Sequence, residues 1–142
     1  MAFNRINSIF AALTYLARAF AAIGELNDAR RCIGEAMTAI ETTKERRYEA
    51  EANRVAGEIL LLEAQPDPAK AELSFQQALA IAREQQAKSW ELRAATSLAR
   101  HWRDQGKPQQ ARELLAPVYG WFTEGFDTRD LKEAKALVDE LA

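Results

Sequence analysis

An all-α fold follows from three features of this sequence. Apolar residues recur with helical spacing, most clearly from Ser89 to Phe122, SWELRAATSLARHWRDQGKPQQARELLAPVYGWF. Leu92, Ala95, Leu98, Ala99 and Trp102 form one such set, and Ala111, Leu114, Leu115, Val118 and Phe122 a second. Between them, Gly106 supplies a helix stop, and Pro108 suits the first turn of the next helix. Alanine is abundant, which favours helices and lets them approach closely. No useful length alternates with a period of two, so no strand is expected.

The elements can be justified in chain order. A first helix is expected over about residues 3–23, where Phe3, Ile6, Phe10, Leu13, Ala17 and Phe20 step by three and four before Gly24. Asn27 is the expected N-cap of a second helix, about 28–42, with Ala29, Ile33, Ala36, Met37 and Ile40 on one side. Thr42-x-x-Glu45 reads as a capping box for a third helix that runs to about residue 64. Gln65-Pro66-Asp67-Pro68 is the clearest break; Asp67 caps and Pro68 opens a fourth helix to about residue 86. Ser89 is the expected cap of the fifth helix. The sixth carries Pro117 internally, where proline costs about 3 kcal/mol, and a kink is expected there rather than a stop. A seventh helix is expected over about 129–141, capped by Asp127 or Thr128.

Length and composition narrow the function. The chain has 142 residues, which reads as a single domain over 1–142. Net charge is −2, so there is no overall basic signal for nucleic acid. The single cysteine, Cys32, excludes an internal disulfide framework and suits a cytoplasmic location. The segment from Arg5 to Ala19 imitates a secretory signal, but Asn7, Ser8 and Thr14 dilute its apolar run. No stretch approaches the ~20 apolar residues of a membrane-spanning helix.

No catalytic constellation is evident. His101 is the only histidine, so a histidine-centred metal site or triad lacks partners, and a surface or groove position is expected for it. Cys32, beside Ile33, reads as a buried inert thiol. The acidic residues read as solvated helix positions. Trp102 reads as core, and Trp121 with Tyr119, Phe122 and Phe126 as core beneath the last helix. No metal or cofactor is expected.

The repeats can be aligned. Gly24 precedes Ala29 by five residues, as Gly106 precedes Ala111. Four residues after Ala29, Ala71 and Ala111 come Ile33, Phe75 and Leu115, and seven after come Ala36, Ala78 and Val118. Upstream of each turn stands a small residue, Ala17, Gly57 or Ala99, followed by bulky Phe20, Leu60 or Trp102. This order resembles the tetratricopeptide repeat. The spacings Ala29–Ala71 and Ala71–Ala111, 42 and 40 residues, exceed the family's ~34, so longer helices are expected. The resemblance implies a right-handed superhelical array of three hairpins, about 3–43, 44–87 and 88–125, plus a capping helix at about 128–141. The segment from Trp90 to Leu141 also resembles the C-terminal end of bacterial signalling proteins in which a class III nucleotide cyclase domain and a P-loop ATPase precede a tetratricopeptide array. Neither catalytic part is in this chain, which has no Gly-x-x-x-x-Gly-Lys-Ser/Thr stretch.

The tetratricopeptide resemblance implies a non-catalytic signalling module that binds a partner helix or peptide in a concave face lined by the first helix of each pair. That geometry would put Thr14, Arg18, Glu51, Arg54, Glu58, Arg93, Thr96, Arg100 and Arg103 inside. Five arginines against two glutamates suit an acidic protein or peptide partner, and nucleic acid and membrane are not expected. A sensor for a small anionic ligand and a self-association module are the alternatives. Self-association is expected through the first helix. Its apolar residues, including Phe3, Ile6, Phe10 and Leu13, span roughly 160° of the helical wheel, wider than one neighbouring helix needs. They would dock on a second copy, as a two-fold dimer, or on an upstream repeat of a longer parent.

Overall fold

A computed structural model describes the backbone of residues 2–142 and the side chains from residue 9 onward. The described chain is helical throughout, with no strand among its residues. The helices are α1 (Ala2–Ala22), α2 (Leu26–Thr43), α3 (Glu49–Leu62), α4 (Pro68–Glu84), α5 (Lys88–Asp104), α6 (Pro108–Gly120) and α7 (Arg129–Leu141). They fall into two compact units, Met1–Ala78 and Leu79–Ala142, with the division inside α4.

Three of the connections are one motif. After α1, the Gly24 N–H donates to Ala21 O at 3.1 Å and the Glu25 N–H to Phe20 O at 2.8 Å. After α5, Gly106 and Lys107 make the same pair of bonds to Arg103 O and Trp102 O, at 3.0 and 2.8 Å. After α4, Gln86 and Ala87 bond to Arg83 O and Ala82 O at 3.1 and 2.9 Å. This is the Schellman arrangement, which places its first residue in the left-handed region. Gly24 and Gly106 adopt φ of 84° and 78° without a Cβ penalty, whereas Gln86 adopts 55° with one.

The motif corrects two expected caps. Each Schellman turn hands the chain to the next helix within two residues, so α2 starts at Leu26 and α5 at Lys88. Asn27 and Ser89 therefore lie inside the first turns, and Glu25 and Ala87 hold the cap positions without side-chain cap bonds. The expected capping box at Thr42 and Glu45 does not form either. Helix α2 continues through Thr43, whose hydroxyl donates to Ala39 O at 2.7 Å and accepts from the Glu45 N–H at 3.2 Å. Lys44 then turns left-handed at φ 61°, and α3 opens only at Glu49. The connection uses its side-chain bonds to close α2 rather than to open α3.

The two helix starts marked by proline hold. Asp67 Oδ1 accepts the Lys70 N–H at 3.1 Å, so it caps α4. Pro108 opens α6, which runs through Pro117 without ending there and stops at Gly120 rather than at Phe122. Helix α7 starts after Thr128, whose side chain makes no cap bond.

Within the first unit α1 packs along α2, and α3 packs on both. Ala17, Ala29, Cys32, Ile33, Ile40, Ala52, Val55 and Ile59 form one buried cluster, with Phe20, Ala21, Met37 and Ala56 at its margin. Gly57 of α3 meets Phe75 of α4 so closely that a Cβ there would lie 2.6 Å from the ring. The second unit repeats the plan: α5 packs along α6, and α7 packs on both. Leu92, Leu98, Leu115, Leu131 and Leu137 are buried there. Burying each such side chain contributes about 1.5–3 kcal/mol. The positions aligned as small, namely Ala17, Ala99, Ala29, Ala71, Ala111, Ala36 and Ala78, are all inaccessible, as close crossings require.

The broad apolar stripe of α1 divides into two faces. Phe10 is 2% exposed and Ala17 is inaccessible, so both belong to the unit's own core. Leu13 is half-buried, and Phe3 and Ile6 lie outside the described side chains. The expected docking set is therefore corrected at Phe10, which is already covered by its own unit. The large apolar residues that α1 and the turn after it leave to solvent are Ile9, Tyr15, Leu16 and Ile23.

Candidate functional site

The candidate site residues lie along α1 and α3 in the first unit and along α5 in the second. In the first unit the charges converge on Glu51, a carboxylate 5% exposed in the first turns of α3. Arg54, one turn on, donates to it through Nη2 at 2.6 Å and Nε at 3.0 Å, a bidentate grip. Arg18 reaches across from α1 to within 4.0 Å of the same carboxylate, and its guanidinium lies 5.6 Å from the Tyr15 ring centre. Glu58 sits 3.8 Å from Arg54. Thr14 is buried beside them in sequence, and its hydroxyl has no hydrogen-bond partner among the described residues.

In the second unit the arginines of α5 are met by α7. Arg93 Nε is 3.3 Å from Asp130, and Arg103 Nη1 donates to Glu140 at 2.6 Å while its Nε donates to Asp104 at 3.0 Å. The bonds to Glu140, then Asp104, hold the Arg103 guanidinium above its ordinary pKa. Arg100, half-buried, has no ion pair among the described residues. Thr96 is buried and donates to Leu92 O at 2.7 Å, a bond within its own helix.

The strip of five arginines against two glutamates is largely paired within the chain. Four of the five have carboxylate partners inside the chain. Asp130 and Glu140 come from α7, which packs on both α5 and α6, and a count along the first helices of the hairpins omits them.

Other polar groups depart from expectation. His101 is 5% exposed and so buried, not at a surface or groove. Glu91 is buried as well, held by Arg83 at 3.1 Å and Lys88 at 3.3 Å. Cys32 is a free, buried thiol, as read. The aromatic cluster after α6 is open: Trp121 and Phe126 are 57% and 46% exposed. Trp121 stands edge-on to Phe122 at 5.2 Å, and the Lys88 ammonium lies 5.1 Å from its ring centre. The sequence signal for this exposure was the loss of helical period between Gly120 and Gly125. Within the first unit the Arg30–Glu63 pair, at 2.6 Å, ties α2 to the end of α3.

A depression of about 350 Å³ lies where α2 meets α3, lined by Met37, Ile40, Glu41, Lys44, Arg46, Glu49 and Asn53. A shallower one of about 660 Å³ runs along the outer face of α2, over Arg30, Arg31, Gly34, Glu35 and Thr38. Neither includes an arginine of the candidate strip. No group of three or more metal-ligating side chains occurs among the described residues. No helix among them is long and apolar enough to cross a membrane. In comparisons with known proteins, no family model matches this chain, and no curated protein matches it.

Proposed function

We propose that this chain is a non-catalytic protein-interaction module of the tetratricopeptide class, binding a partner helix or peptide in a signalling or regulatory setting. One observation carries the reading. In each unit a third helix packs on both members of a helical hairpin, with inaccessible alanines at the crossings. That is the local unit from which stacked helical repeats are built. The reading groups the helices as hairpins at about 3–43, 44–87 and 88–125 with a cap at 128–141, in a right-handed stack; small-angle scattering of the full chain tests the stacking, and a crystal structure tests its hand. It is cytoplasmic in this reading, in keeping with the single, buried, free Cys32.

The polar contact to a partner falls to α5. Arg100 is the candidate arginine without a carboxylate partner among the described residues, and Arg103 is bound to groups that are themselves partly exposed. A carboxylate on a partner can engage the first directly and displace the second from Glu140. The test is affinity capture with the wild-type chain and with Arg100→Glu/Arg103→Glu, followed by mass spectrometry. A partner held by the wild type and lost by the double variant, at unchanged helical circular dichroism, is the expected outcome. Equal retention by both at low salt removes the arginine role. A wild-type chain that captures nothing above background in repeated preparations overturns the interaction reading.

A further inference from the structure

The first helix carries a second apolar face that its own unit leaves uncovered. Ile9, Leu16 and Ile23 are 53%, 47% and 72% exposed, and Ala12 and Ala19 between them are exposed too. These five positions are spaced three, four, three and four apart, the seam spacing of a coiled coil. Along the seam, size alternates: large, small, large, small, large. No acidic residue occurs in α1, and Arg18, the one charge among residues 9–23, is turned to Glu51 and Tyr15. The face offers nothing to a charged partner, and an identical face brings no charge to repel it.

We propose that this face pairs with the same face of a second copy of the chain, α1 against α1, antiparallel about a two-fold axis. The alternation of size decides the direction. A parallel pair would set isoleucine on isoleucine and alanine on alanine, leaving every second layer underfilled. An antiparallel pair sets the large positions against the small ones. With the axis level between Ala17 and Arg18, Leu16 meets Ala19 of the second copy, and Ile23 meets its Ala12. The four layers between Ala12 and Ile23 then each hold one large and one small side chain, with Ile9 beyond the paired span, which fills space evenly and lets the helix axes approach to the near end of the usual ~8–10 Å. The symmetric contact is self-complementary, as a closed dimer requires. The paired span, residues 12–23, is only ~18 Å long, so its buried area falls below the ~1,200 Å² of a stable interface, and the dimer is weak and concentration-dependent.

This inference stands on α1 and is independent of the partner-binding role given to α5. Sedimentation equilibrium of the full chain, from low to high micromolar concentration, tests it. The wild type should rise toward twice the monomer mass. Leu16→Glu, and separately Ala19→Glu, should stay monomeric with unchanged circular dichroism, since both positions are exposed. A mild oxidant should link a Leu16→Cys chain to an Ala19→Cys chain far more than either variant to itself, the native Cys32 being buried. A wild type that stays monomeric throughout, or a dimer that survives both charge variants, overturns the proposal. Self-linking of the single variants as efficient as cross-linking overturns the antiparallel register.

Discussion

Gly57 occupies the middle of α3, where alanine would strengthen the helix by about 1 kcal/mol. Its Cβ would stand 2.6 Å from one carbon of the Phe75 ring and 2.8 Å from the next. Phe75 is fully buried, so the ring has no solvent to swing into. Overpacking of this kind costs about 1–3 kcal/mol, more than the helical gain returns. Gly57→Ala should therefore lower the urea midpoint, with a net loss of about 1–2 kcal/mol. In a Phe75→Leu background, where the ring edge is gone, the same change should be neutral or stabilising. A rise in the midpoint in the wild-type background would mean that the ring gives way freely. The close approach was legible in the sequence as a small residue aligned with Ala17 and Ala99. That it faces Phe75 was not, because the alignment orders positions along the chain without saying which ones meet.

At the scale of elements, the turns explain what was legible and what was not. Helix existence and packing face came from periodic apolar residues, and the seven helices appear where that period predicts them. The starts of α2, α3 and α5 did not. Asn27, Thr42 and Ser89 are residue types that cap helices, but Schellman turns and the left-handed Lys44 had already fixed where each chain reversal ends. Gln86 makes the point testable. It makes the same two bonds as Gly24 and Gly106, yet it carries a side chain at a φ of 55°. Gln86 is exposed, so its replacement removes no buried contact. Gln86→Gly should relieve the left-handed penalty and stabilise the chain by about 0.5–1 kcal/mol, with glycine's extra unfolded-state entropy offsetting the remainder. Chemical denaturation measures it. A loss of stability would show that the Gln86 side chain contributes more than its backbone geometry costs.

For the whole molecule, the candidate site was less legible than the fold, because a charge is read from the sequence but its partner is set by packing. Arg93 and Arg103 are sequence-visible cations, while Asp130 and Glu140 reach them only because α7 packs on α5. The ion pairs also differ in what they contribute. In the pairs Arg18–Glu51, Arg30–Glu63, Arg83–Glu91, Arg93–Asp130 and Arg103–Glu140, at least one side chain is a fifth exposed or more. Such pairs contribute about 0–1 kcal/mol each and are screened by salt. In Arg54–Glu51 the two side chains are only 13% and 7% exposed. At ~1 M salt the screening length shrinks to ~3 Å, which reaches exposed pairs but not a buried one. Melting temperature should then change by only a few degrees between low salt and ~1 M NaCl, because apolar burial and not the ion pairs dominates. Two variants sharpen this. Arg103→Gln should lower the melting temperature slightly at low salt and not at ~1 M. Glu51→Gln leaves Arg54 and Arg18 without their shared carboxylate, a cost of about 2–3 kcal/mol, or on the order of 10 °C, at either salt concentration. If the Glu51→Gln effect disappears at high salt, the pair is solvated, and apolar packing around Ala17, Val55 and Ile59 dominates the link from α1 to α3.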